Sequence, residues 1–388
     1  MSRYFSYLNS AVKILSQYCG KEPFAIFLRT FFSANKKYGS RDRKKIAHLC
    51  YCYFRLGKLE FSASIEDRIL TGLFLCSAQP DEILTALKPE WAEKTGLSLD
   101  EKFLLLDGGS SITDVFPWKD ELSEDVDYEA FCTSFFVQPY LFLRLRPGKE
   151  DSVKHRLQKE NIPFETLSDF CLFLPNTTKI DTVLDVNKEA IIQDYSSQKI
   201  AGLLALVEGG RPSKVWDCCA GSGGKSMMAY DLNSNIKLTV SDVRESILIN
   251  LKRRFKEAGI RNYTSFRVDL TQPPKNIQNA PFDLVIADTP CTGSGTWSRT
   301  PEQLCYFDAD KIEEYSALQQ KIITHLTTHI KPGGYLLYIT CSVFKKENEE
   351  VVDFIKEEFP LQEIRRELIK GYDKKADTMF ASLFKKMV

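Results

Sequence analysis

Cys291 and Cys341 each directly follow a short apolar run, FDLVIADTPC and GYLLYITC. Asp288 closes the apolar part of the first run. Lys225 lies in a glycine-rich stretch, DCCAGSGGKS, that follows a third such run. A thiolate is the nucleophilic form of cysteine, and a second thiol beside it can assist the departure of what it has bonded. A carboxyl that keeps its proton can bond a ring nitrogen. These residue types at the ends of apolar runs point to nucleophilic catalysis. Of the eleven cysteines, Cys50, Cys52, Cys76, Cys171 and Cys305 read as inert apolar filler. None forms a C-x-x-C and the chain is long, so reduced thiols of a cytoplasmic protein are expected rather than disulfides.

The glycine-rich stretch nearly spells two nucleotide sites. A P-loop reads G-x-x-x-x-G-K-[ST]. Its first glycine would fall on Cys219, so a P-loop NTPase is set aside. The dinucleotide pattern G-x-G-x-x-G fails as well, because Gly221, Gly223 and Gly224 lie too close together, and this weakens a nucleotide oxidoreductase. What remains is a tight strand-to-helix turn that lets a ligand approach the backbone near a helix N-terminus. Asp242 ends the next run, KLTVSD, and can accept both ribose hydroxyls of an adenosine. Asp269 ends the run after it, where it can hold an adenine amino group.

These groups reach one edge only if the runs that carry them are parallel strands. KVWDCC, KLTVSD, TSFRVD, FDLVIAD and GYLLYITCS, with helical stretches between most of them, predict a doubly wound, Rossmann-like α/β domain over 190–388. Such sheets bind ligands at the carboxyl ends of their strands. PYLFLRLRPG and DFCLFLP read as strands around the helix KEDSVKHRLQKENI, a small α+β module over 133–185. Before it, AVKILSQY, PFAIFLRTFFSANKKY and KKIAHLCYCYFRL space their apolar residues three or four apart. They predict an all-helical region over 1–125, and SSITDVFPWKDELSEDVDYE reads as an exposed linker.

The placement of loop and carboxylates looks like that of class I methyltransferases. The resemblance implies that Cys219, Ala220, Gly221, Ser222, Gly223, Gly224 and Lys225 hug the methionine end of S-adenosyl-L-methionine, with Asp242, Asp269 and Asp288 along the rest. Beside a methyl donor, a thiolate can add to C6 of a pyrimidine and make C5 nucleophilic. A proton-bearing Asp bonds N3, a base removes the C5 proton, and the thiol leaves. DCCAGSGGKS, DTPCTGSGTW and ITCSVFKKENEE, preceded by IIQDYSSQ and followed by GYDKKADTMFASLFKK, resemble the Sun/Fmu family of RNA (cytosine-5)-methyltransferases over about residues 133–388. By that resemblance Cys341 of the TCS motif is the nucleophile and Cys291 of the PC motif promotes product release, while Lys225 and Asp288 also reach the base. In DNA cytosine methyltransferases the PC cysteine attacks instead, so the assignment turns on the TCS motif. The usual loop of the family is APGGK; here Gly221 and Ser222 stand in place of Ala and Pro. The implied substrate is ribosomal RNA, with transfer RNA as the alternative. A non-catalytic RNA- or ribosome-binding factor on the same fold is the remaining reading, and Cys341, Cys291 and Asp288 together count against it.

The formal net charge is zero, but its distribution is uneven. Residues 1–60 carry twelve Lys and Arg against Glu22, Asp42 and Glu60, a net of +9, whereas residues 61–130 carry five basic and sixteen acidic side chains, a net of −11. A basic head on a neutral chain points to a polyanion, and its helices resemble in layout the NusB-like RNA-binding domain of some family members. His325 and His329 stand four apart on a predicted helix with no third ligand, so packing rather than metal binding is expected. KKENEE reads as a solvated helix start. No run approaches a membrane span, and Asn9 and Lys13 spoil a signal peptide, so a monomeric cytoplasmic protein is expected.

Overall fold

Ser64 and Ser98 stand at the head of apolar-periodic stretches, and each accepts a backbone N–H three residues on, capping a helix. The computed structural model describes residues 3–60, 64–106, 109–207, 212–274, 277 and 280–387. These fall into two units. The first is helical, built on Arg3–Gln17, Phe24–Ala34, Ser40–Arg55 and Ile65–Cys76. Gly72 lets the last two close up, since a Cβ there would lie 2.2 Å from the Cys52 carbonyl oxygen. Phe24, Phe54 and Tyr18 meet edge-to-face in the core, where truncating one Phe costs about 3–5 kcal/mol.

This unit does not stop at residue 125. It excludes 121–126, and it takes in 127–138 and 296–308 from further along the chain. The buried Arg55 accounts for the join, donating to the carbonyls of Phe135, Val137 and Ser298. The stretch expected as an exposed linker contributes Val115 and Phe116, both 0% exposed. Phe116 and Trp118 pack on Trp297. Aromatic residues in an acidic surrounding had masked a core segment.

The second unit holds both sheets. In the smaller one, β1 (Leu141–Leu145), β2 (Glu165–Ser168), β3 (Cys171–Leu174) and β4 (Ala190–Ile192) run antiparallel in the order β2-β3-β1-β4. The module therefore extends past 185 to include β4. Arg144 and Arg146 grip Asp231 on helix Gly224–Leu232 at 2.6 Å each and fix this sheet to the larger one.

The larger sheet is the expected doubly wound one. β5 (Lys214–Asp217), β6 (Lys237–Asp242), β7 (Tyr263–Arg267), β8 (Phe282–Asp288), β9 (Ile330–Thr340), β10 (Leu361–Ile369) and β11 (Met379–Lys386) stand in the order β10-β11-β9-β8-β5-β6-β7. All neighbours are parallel except the two pairs made by β11. Period-two alternation sends Val215 into one core and Trp216 into the other. The chain passes to β6 on one side of β5 and to β8 on the other, so a crevice opens at the carboxyl ends of β5 and β8. No described helix is long and apolar enough to cross a membrane.

Candidate active site

The turn after β5 is made almost entirely by backbone. Gly223 has φ 84°, and a Cβ there would meet Phe255 Cε1 at 2.6 Å, so only glycine fits. Gly221 has φ 52°, and a Cβ there would meet nothing within 4 Å, so the turn is open on that side. Its N–H donates to Asp242 Oδ2 at 3.0 Å, and Ala220 N–H donates to the Ser241 carbonyl at 2.9 Å. Ser222, in the place of the family's proline, is held from outside: Arg254 Nη1 donates to its carbonyl at 2.8 Å and to its Oγ at 2.6 Å. A side-chain clamp thus supplies stiffness that a proline ring would supply locally.

Three carboxylates stand at or beyond the ends of β5, β6 and β7. Asp242 is buried at the end of β6 and accepts Arg244 Nε at 3.0 Å and Arg244 N–H at 2.9 Å. Burial pushes its carboxyl up, but the bonds from Arg244 and Gly221 hold it below the usual range. Arg244, two residues on, was not foreseen, and ribose hydroxyls at Asp242 would meet an oxygen already paired. Asp269 lies two residues beyond β7, exposed, with Oδ1 bonded to the N–H and hydroxyl of Thr271. Asp217, which sequence reasoning passed over, ends β5. Burial pushes it up to about 7, while a 2.5 Å bond from Ser226 works against that.

The two thiols meet. Cys341 follows β9 and Cys291 follows β8, and Cys341 N–H donates to Cys291 Sγ at 3.3 Å. Lys225 Nζ donates to Asp288 Oδ2 at 2.6 Å. Cys341 is held well above the ordinary thiol range by its bond to Cys291, by burial and by Asp288, with Lys225 opposing. At Lys225 burial opposes the charge, yet Asp288 and Cys341 keep its ammonium above the usual range. Gly295 N–H bonds the Cys341 carbonyl at 2.9 Å, and a Cβ there would lie 2.0 Å from the Thr378 carbonyl oxygen.

KKENEE is not wholly solvated. Glu347 and Asn348 are both 0% exposed, and their side chains turn back toward the residues beside the two cysteines. The alternating charges had disguised them as surface. His325 bonds the Leu270 carbonyl at 2.8 Å, and His329 sets its ring edge-on to Trp216. Among the described residues no cluster of three His, Cys, Asp or Glu side chains suits a metal.

Residues 202–379 match a family model described as 16S rRNA methyltransferase RsmB/F. Over that part the chain is similar to the RsmB/F family. The ribosomal RNA small subunit methyltransferase B of Xanthomonas campestris is 30% identical over 188 residues, 46% of this chain and 42% of that one. The ribosomal RNA small subunit methyltransferase F of Escherichia fergusonii is 30% identical over 175 residues, 44% and 35% of the two chains. This chain thus spans less than half the length of either RsmB/F relative. Among solved structures, PH0851 shares the fold with a TM-score of 0.70 at 20% identity over 97% of both chains. NSun6 from Pyrococcus horikoshii, solved with SFG, has a TM-score of 0.58 at 13% identity, covering 68% of this chain and 94% of that one.

Proposed function

We propose that this chain is an S-adenosylmethionine-dependent RNA (cytosine-5)-methyltransferase acting on small-subunit ribosomal RNA. The observation that carries the reading is the juxtaposition of Cys341, Cys291 and the Lys225–Asp288 pair at one sheet edge, beside an open glycine turn. The family of the catalytic half and the names of its relatives support the choice of ribosomal RNA.

The crevice suits a cationic cofactor. Burial and the charges of Asp288 and Asp242 push Asp217 up, Lys225 and Arg244 pair with Asp288 and Asp242, and Asp217 Oδ1 is buried without a hydrogen-bond partner. Gly221 to Gly224 would hold the methionine end, and Asp242 the ribose, with Arg244 yielding. Asp269, beyond the end of β7, would meet the adenine. When bound, S-adenosylmethionine supplies an electrophilic methyl group and a positive charge.

The chain's own residues supply the rest. Cys341 loses its proton and its sulfur bonds C6 of the cytosine. The electrons of the C5–C6 double bond move toward N3, which takes a proton from the Lys225–Asp288 pair. C5 then accepts the methyl group, and the N3 proton returns to the pair. A base removes the C5 proton, the C6–sulfur bond breaks with its electrons returning to Cys341, and Cys291 assists this release. The target must leave any stack to reach the thiols, so an unpaired cytosine is favoured.

Of the twelve basic residues of the head, Arg55, Lys58 and Arg43 bond backbone carbonyls inside the helical unit and Arg3 pairs with Glu82, which leaves eight for phosphates. Bisulfite sequencing of total RNA with and without the gene tests the whole reading. A single small-subunit cytosine that loses its methyl group is expected. A change confined to transfer RNA would replace the substrate, and an unchanged pattern, with no product in vitro, would sink the activity.

A further inference from the structure

The residues on both sides of each reactive cysteine are tied to three buried side chains, Glu347, Asn348 and Gln319. Glu347 Oε1 accepts the hydroxyls of Thr292 and Ser342 at 2.5 Å each. Its Oε2 accepts Thr292 N–H at 2.9 Å and Gln319 Nε2 at 3.0 Å. Gln319 Nε2 also reaches the Pro290 carbonyl at 3.0 Å, so Cys291 is bracketed fore and aft. Cys341 is bracketed by Asn348: its Oδ1 accepts the Thr340 hydroxyl at 2.6 Å, and its Nδ2 donates to the Ser342 carbonyl at 3.0 Å. Of Glu347, Asn348 and Gln319, Glu347 alone bonds both loops; the loops also bond each other, with the Ser294 and Ser342 hydroxyls 3.1 Å apart and Gly295 N–H on the Cys341 carbonyl at 2.9 Å.

We infer that Glu347 is a positioning residue that holds Cys291 and Cys341 in register with each other. The inference rests on the proposed function, and concerns how the two thiols share one cytosine. A buried carboxylate is a poor device for stability alone, because an apolar group of similar shape serves as well once its donors are removed too. Here the four donors come from the Cys291 loop, the Cys341 loop and one helix, and they converge on a single group that none of them can replace. A shift of the order of 1 Å between reacting groups costs about 10²-fold in rate, and that is the scale at which this bracket acts.

The amide variant separates positioning from charge. Thr292 N–H and Gln319 are fixed donors, whereas the hydroxyls of Thr292 and Ser342 rotate and can accept instead. Glu347→Gln can therefore satisfy all four partners, and Glu347→Ala none. In the full-length protein, Glu347→Ala is expected to lower kcat about 10²-fold, while the dissociation constant for S-adenosylhomocysteine stays within twofold. Glu347→Gln is expected to keep kcat within about tenfold of wild type. In a Cys291→Ala background, Glu347→Ala should slow accumulation of the RNA–protein adduct.

A second readout needs no turnover. Phenylarsine oxide bridges two close thiols, and mass mapping reports whether it joins Cys291 to Cys341. The bridge is expected in wild type and in Glu347→Gln, and lost in Glu347→Ala. A folded Glu347→Ala with wild-type kcat and an intact bridge would overturn the inference. So would parallel losses of kcat, cofactor affinity and folding in both variants, which mark a general structural role. If wild type bridges but methylates no RNA, the functional reading fails and the bracket stands.

Discussion

The two halves of the crevice are built differently. On the side proposed for the cofactor the turn is built of backbone: Gly221, Gly223 and the N–H groups between β5 and the helix that follows. On the thiol side every group is a side chain, and its placement depends on Glu347, Asn348 and Gln319, each buried and none of them reactive. A backbone site tolerates changes around it, since the chain's own turn keeps its shape. A side-chain site is only as precise as the shell behind it. Substitutions should therefore be all-or-none at the thiols, and graded at the turn.

The largest effect is expected at Cys341. Cys341→Ala removes the nucleophile, so methyl transfer should fall by at least on the order of 10⁴-fold, with no covalent adduct. Cys291→Ala should still allow attack but stall release, leaving labelled RNA bound to protein on a denaturing gel. A trapped band with Cys341→Ala and none with Cys291→Ala would reverse the two roles, and Cys291 would then carry the attack.

Asp242 is the side chain proposed to hold the ribose. Asp242→Ala should weaken S-adenosylmethionine binding by about 2–4 kcal/mol, the loss of one or two charge-assisted hydrogen bonds. That is roughly 30- to 1,000-fold in calorimetry. Arg244 competes for the same carboxylate, so Arg244→Ala should leave affinity unchanged or tighten it. An unaltered constant in Asp242→Ala would remove this residue from the ribose.

What was legible in the sequence follows the same division. The glycine turn, Asp242, Asp288 and both cysteines were readable because each is fixed by its own short stretch of chain, whereas Asp217, at the end of β5, was passed over. Glu347 and Asn348 were not, because a charged run at a helix start reads as surface whenever its partners lie about 5 to 55 residues away. β10, LQEIRRELI, was missed for a related reason: as an edge strand it carries charges that break alternation. The transfer of 296–308 into the helical unit rests on Arg55, some 240 residues earlier, and no local pattern announces it. Arg244, by contrast, was within reach, being only two residues from the Asp it binds.

A smaller effect tests the electrostatic link between the halves. Cys341 is held above the ordinary thiol range, so at neutral pH it carries its proton and reacts slowly. Alkylation by iodoacetamide should rise about tenfold per pH unit through the alkaline range, as the thiolate fraction grows. A positive charge in the crevice favours the thiolate, so S-adenosylmethionine should move the profile to lower pH, and uncharged S-adenosylhomocysteine should not. Equal shifts by both would mean that the thiol responds to closure of the site rather than to charge, and a profile flat across neutral pH would contradict the raised thiol outright.

The smallest effect is expected at Ser222, where a side chain reinforces the backbone turn. Arg254 makes two bonds to this residue, one to the hydroxyl and one to the carbonyl. Ser222→Ala deletes the first and leaves the second. A net hydrogen bond is worth about 0.5–1.5 kcal/mol, so cofactor affinity should fall only about two- to tenfold. Arg254→Ala deletes both, and also the bond to Asn187, and should cost more. Ser222→Pro replaces the clamp with a ring that fixes φ directly. Ser222 N–H is not required by the clamp, so this variant should bind the cofactor at least as tightly as Ser222→Ala, and it should make a further Arg254→Ala substitution nearly silent. Additive losses in that double variant would show that Arg254 acts on the small sheet through Asn187 rather than on the turn.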